Sequence, residues 1–129
     1  MKRAEQLFRA YRASCYFAGA HVARIGQHAS GLDALLRSWR AQEGVFIGAG
    51  NPFSRRMPSG WNARRHAALR QCLRGMHYVE GQGGAKRWWE AHCFIGISVS
   101  RGRRLARLFR QNAMVALRRG AKVRLIWVF

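Results

Sequence analysis

Acidic residues are scarce in this chain. Only Glu5, Asp33, Glu43, Glu80 and Glu90 oppose 24 lysines and arginines among 129 residues, which leaves a formal charge of +19. A paired-carboxylate acid–base site is therefore poorly supplied. Cysteine is sparse too: Cys15, Cys72 and Cys93 are odd in number and far apart, with no pair at zinc-knuckle spacing. His21, His28, His66, His77 and His92 are scattered without an HExxH pattern. No metal site and no cofactor is expected, and no nucleophile–histidine signature assigns a catalytic residue. No apolar run approaches the roughly 20 residues of a membrane span. The start, MKRAEQLF, is interrupted by charge rather than opening into the apolar stretch of a signal peptide. A cytoplasmic protein without a membrane span is the expectation. Phosphate-binding fingerprints are missing as well, since neither GxxxxGK[ST] nor a GxGxxG after a strand occurs.

What the chain does have is apolar residues and arginine. At 49% hydrophobic, with five Trp and seven Phe, it can build a core, unlike a disordered basic tail. Its length suits one compact domain over residues 1–129. Twenty-one of the 24 basic residues are Arg, whose planar fork matches phosphate better than an ammonium does. A charge of this size creates a field that attracts the RNA or DNA backbone.

Apolar periodicity predicts a short helix over 4–12 and one strand over 14–25, with Gly19 as a bulge. Leu32, Leu35, Leu36 and Trp39 form a helical stripe that starts at a Ser30 cap and ends before Gly44. Val45–Ile47 reads as a buried strand. A helix starts after Ser59 and runs to about Arg74, with Gly75 as its cap. Met76–Glu80 reads as a strand and Gly81–Gly84 as a turn. Another strand covers Cys93–Val99, with an earlier start at Trp88 as the alternative. Ser100 would cap a further helix, and strands over 113–117 and 122–128 close the chain. This pattern predicts an α+β or α/β fold, with a single mixed β-sheet of about five or six strands covered by about three helices.

Two polar stretches stand out. Asn51, Pro52, Ser54, Arg55 and Arg56 leave the end of an apolar strand and lead to a helix bearing Asn62, Arg64 and Arg65. Ligands in layered folds often lie beyond strand ends beside a helix N-terminus. The alternative is a structural turn in which Asn51 caps its own backbone. Arg110, Gln111 and Asn112 form the second stretch; Gln and Asn are costly to bury unpaired. They serve either as a helix cap or as the far wall of a pocket shared with the 51–56 loop. Glu90, beside Trp88 and Trp89, is the best-placed carboxylate and reads as an anchor more readily than as a base.

The segments RIG (24–26), LDALL (32–36), FIGAGNPFS (46–54), NARR (62–65), GIS (96–98), QNA (111–113) and LIW (125–127) resemble the small bacterial family known as domain of unknown function 3293. The resemblance runs from about Tyr11 to Trp127. It implies that Asn51, Pro52, Ser54, Asn62, Arg64, Glu90, Gln111 and Asn112 occupy the family's polar motifs, and it brings no catalytic assignment. Gly50 stands where the family often has a bulky residue such as Trp, and Arg110 where it commonly has Gly. Members of the family are also much less basic.

The leading expectation is a small RNA- or polyanion-binding domain. Arg64, Arg70, Arg103, Arg107 and Arg110 would contact phosphates, and Trp61 or Trp88 would stack on bases. A rival is an enzyme or small-molecule binder in which Asn51, Ser54, Arg55, Asn62, Arg64, Glu90, Gln111 and Asn112 hold an anionic ligand such as a nucleotide. It requires these residues to converge on one concave site. A third reading is a docking module for an acidic protein or ribonucleoprotein partner, built on an apolar patch rimmed by arginines. The oligomeric state is open.

Overall fold

The computed structural model describes residues 2–129. In chain order the elements are α1 (Lys2–Ala13), β1 (Cys15–Ala18), β2 (His21–Ala23), α2 (Ser30–Ser38), β3 (Glu43–Gly48), a 3-10 turn (Pro52–Ser54), α3 (Ser59–Cys72), β4 (Tyr78–Ala85), β5 (Trp88–Ile95), α4 (Val99–Leu108), β6 (Ala113–Arg118) and β7 (Arg124–Trp127). The strands form one sheet in the order β2-β1-β4-β5-β3-β6-β7, and every pairing is antiparallel. This corrects the expected mixed sheet of five or six strands under about three helices: among the described residues there are seven strands, four helices and no parallel pair. Helical connections do join strands of like direction, as in any crossover. Here, however, β5 is inserted between β3 and β4, and β3 between β5 and β6. The unit β3-α3-β4-β5-α4-β6 is thus a doubly split βαβ arrangement, the ferredoxin-like topology. The β1–β2 hairpin extends it at one edge and β7 at the other.

The extra strand arises at Gly19. The segment expected to be one strand turns back there, where φ is +57° and glycine carries no steric penalty. Conversely, the expected turn at Gly81–Gly84 is part of β4. A Cβ on Gly81 would stand 1.7 Å from the Phe17 carbonyl oxygen, so the glycine lets β1 approach, and the reversal comes later, near Lys86 (φ +55°). Helix ends also differ. Ser30 is the first residue of α2 rather than its cap, and Ser98 rather than Ser100 caps α4, accepting from Arg101 N at 3.2 Å. Helix α2 stops at Ser38, well short of Gly44. Arg40 takes a left-handed conformation (φ +55°), its N–H donates to Arg37 O and Ala41 N–H donates to Leu36 O, which closes a Schellman motif.

Strand alternation divides the core in two. On one face Val45, Ile47, Cys93, Ile95, Met114 and Ala116 pack against Leu69 and Leu73 from the α3 end and Ala106 and Phe109 from the α4 end. On the other, Phe46, Phe94, Val115 and Leu117 pack against Leu32 and Leu36 of α2 and Tyr16 of β1. Helix α1 lies toward this second face, with Tyr11 packed on its cluster and edge-on to Trp127 at 6.1 Å. Among the described residues, no helix is long and apolar enough to cross a membrane.

Candidate functional site

The chain leaving β3 is strained. Asn51, Phe53 and Ser54 have φ of +44°, +53° and +62°, and Arg110 in the facing loop has +54°. Each non-glycine residue in this region costs on the order of 1 kcal/mol. The loops are held by backbone and side-chain bonds, beginning with Phe53 N–H donating to Arg110 O at 2.7 Å.

Asn51 is buried at the centre of the polar knot. Its Oδ1 accepts from Met57 N and Asn62 Nδ2, both at 2.9 Å, and its backbone N–H donates to Asn62 Oδ1 at 2.9 Å. Asn51 Nδ2 donates to Glu90 Oε1 at 2.5 Å, and Trp88 Nε1 donates to the same oxygen at 3.1 Å. Gln111 Nε2 donates to Gly50 O and Phe109 O, each at 3.0 Å, and Asn112 Nδ2 donates to Ser54 Oγ at 2.9 Å. A Cβ on Gly50 would come within 2.9 Å of Asn62 Oδ1, so a side chain at this position would displace Asn62. Of the ligand residues expected from sequence, Asn51, Ser54, Asn62, Glu90, Gln111 and Asn112 converge. Arg55 and Arg64 do not; both are exposed on the outside of this cluster.

Beside the knot, between α1 and the sheet, lies a cavity of about 330 Å³. Tyr11, Tyr16, Phe46 and Trp88 supply aromatic walls, and Glu90, His92, Gln111 and Ser54 the polar ones. His92, one of five histidines that form no catalytic or metal pattern in the sequence, is a wall of this cavity. Alternation sends Cys93 into the α3–α4 core and His92 to this side, stacked on Tyr16 and edge-on to Phe46. Its Nε2 donates to Phe17 O at 2.7 Å. Burial pushes its pKa down to about 4; the Phe17 carbonyl opposes that shift and His66 adds to it. The imidazole is therefore neutral at pH 7. Burial raises Cys93 to about 12, so it is a packed thiol and not a nucleophile. Tyr11 is raised by burial, with Ser54 opposing and Glu90 contributing; Tyr16 is raised mainly by burial. Tyr16 donates to Tyr11 O at 2.9 Å, which ties α1 to the sheet. Among the described residues, no group of three or more His, Cys, Asp or Glu is arranged to hold a metal.

Most of the residues expected to touch nucleic acid fall elsewhere. Trp61, Arg64 and Arg70 lie on α3, Arg103 and Arg107 on α4, and Arg110 just after it. Helices α3 and α4 share one face of the sheet, and the Arg65 guanidinium sits 4.8 Å above the Phe109 ring, bridging them. Trp88 does not belong to that group. It walls the cavity on the opposite face and carries the Arg56 guanidinium 4.4 Å above its ring.

A family model described as "Protein of unknown function (DUF3293)" matches residues 47–114, just over half of the chain. The matched segment runs from the end of β3 into β6 and contains the whole polar knot. No curated protein and no solved structure matches the chain.

Proposed function

Since the chain belongs to the DUF3293 family of proteins of unknown function, no inherited activity guides its reading, and we propose from its own surface that it binds RNA or another polyanion through the arginines of α3 and α4. The observation that carries this reading is the composition of the two helices on one face of the sheet. Together with the residues just after their ends they bear Arg64, Arg65, Arg70, Arg74, Arg101, Arg103, Arg104, Arg107 and Arg110, and no carboxylate.

The protein's carboxylates do little to neutralise them. Glu43 accepts from Val99 N, Asp33 from Gly120 N, and Glu90 from Asn51 and Trp88. Glu80 is held by His66 at 2.7 Å, and Arg70, 3.8 Å from its other oxygen, is the one arginine in an ion pair among the described residues. Exposed guanidinium groups on rigid helices meet backbone phosphates with bidentate geometry and little ordering cost. Such contacts position a nucleic acid without reading its sequence. Trp61, half-buried in the first turn of α3, offers a ring beside them.

Binding to single-stranded RNA measured against salt tests the proposal. Replacing Arg64, Arg103, Arg104 and Arg110 with Ser should flatten the slope of log K against log salt by about 3, at roughly 0.7 per lost phosphate contact. Serine replacement of Arg9, Arg12, Arg37 and Arg118, equal in charge but off these helices, should change it by less than half as much. Equal effects from the two sets would refute a dedicated face.

A further inference from the structure

The cavity under α1 has a chemistry opposite to that of the surface. No lysine or arginine lines it, although the chain carries 24 of them. Three of its polar groups have already spent their donors or offer none. Gln111 Nε2 makes two bonds to backbone carbonyls, so its free atom is Oε1. The nearest side-chain atom to a Cβ placed on Gly48 is that oxygen, at 3.6 Å, so the glycine leaves it uncovered. His92 gives its Nε2 proton to Phe17 O, so Nδ1 is a bare acceptor. A Cβ on Gly83 would stand 2.9 Å from Nδ1, and the glycine keeps that atom open. Glu90 Oε1 receives Asn51 and Trp88, while Oε2 has no hydrogen-bond partner among the described residues and is not sealed off as a buried orphan.

We infer that this cavity binds a small planar organic cation of the amidinium or guanidinium class. The carboxylate of Glu90 would pair with it, while His92 Nδ1 and Gln111 Oε1 accept its N–H groups. With Oε1 occupied, the pairing is a charge-assisted bond to Oε2, stronger than a bond between neutral groups. The walls suit the same ligand, because the faces of Tyr11, Tyr16, Phe46 and Trp88 carry the negative side of the aromatic quadrupole. The Trp88 ring already carries a guanidinium, that of Arg56. An anion would meet three acceptors and no donor cation, so the nucleotide-type ligand expected from the loop motifs is disfavoured here. The volume of about 330 Å³ lies at the small end of natural ligand sites. This assignment is independent of the arginine surface.

Benzamidinium, benzamide and benzoate, which share a shape and differ in charge, provide the test when titrated calorimetrically into the full chain. The expected order is benzamidinium first, with at least tenfold preference over benzoate, even though the net charge favours benzoate everywhere else. Glu90→Gln keeps an acceptor for Asn51 and Trp88 and should remove most of that preference. Ala10→Trp, which fills the cavity from the exposed helix α1 and leaves every sheet residue unchanged, should abolish binding while circular dichroism stays native. Equal or tighter benzoate binding, absence of benzamidinium binding, or binding untouched by both substitutions would overturn the assignment.

Discussion

His92 makes the protein acid-sensitive in a way that one substitution isolates. The imidazole is packed between Tyr16 and Phe46, and burial lowers its pKa from 6.5 to about 4. The unfolded chain thus takes up a proton near pH 6.5 that the folded chain refuses until about pH 4. In that window the unfolded state binds more protons, so stability is fully present above pH 6.5 and lost as pH falls. From these two values the loss is about 2 kcal/mol between pH 7 and pH 5, and about 3 kcal/mol by pH 4. That is a large share of the roughly 5–15 kcal/mol that holds a domain together. Urea unfolding followed by tryptophan fluorescence at half-unit pH steps measures it. His92→Gln retains a donor for Phe17 O and no longer titrates, so its stability curve should be flatter over pH 7–5 by that amount. Parallel curves for the two proteins would mean that the folded imidazole protonates freely and that the argument from burial is wrong.

Three further substitutions address the knot and the sheet. Arg110→Gly relieves a left-handed residue (φ +54°) and should raise stability by about 0.5 kcal/mol in urea unfolding, since the steric penalty removed slightly exceeds the entropy glycine adds. The same change removes a proposed phosphate contact, so RNA affinity should fall as stability rises. Asn62→Ala strips the buried Asn51 of two partners and should cost about 2–3 kcal/mol by the same measurement. Gly81→Ala drives a methyl group into the Phe17 carbonyl and should cost about 3 kcal/mol or more, with amide exchange accelerating in β1 and β2 before the rest of the sheet.

Much of the local structure was legible because it is local. The Leu32–Leu36 stripe, the short strand at Val45–Ile47 and the helix that follows Pro58 come from periodicity and from the break that holds both prolines. The gathering of Asn51, Asn62, Glu90 and Gln111 was anticipated as a possibility because buried amides demand partners. Which partners they take depends on loop conformations: the left-handed turn at Asn51 aims its side chain at Glu90, 39 residues away, and no propensity encodes that. Strand parity separates His92 from Cys93 in the sequence, but that His92 walls a cavity depends on β1 and α1 packing against its face of the sheet.

Composition and period by themselves determined that this chain folds with a core, that its basic charge is almost all arginine, and that α3 and α4 carry that charge without acids. Only the tertiary structure decided that those two helices share one face, that the glycines expected to form a turn at 81–84 instead let strands touch, and that a positively charged protein has a cavity lined by a carboxylate and no lysine or arginine. The division has a physical origin. Hydrophobic period and charge are properties of neighbours along the chain, whereas strand order, close approach and the direction of each donor are settled by contacts between residues far apart in it.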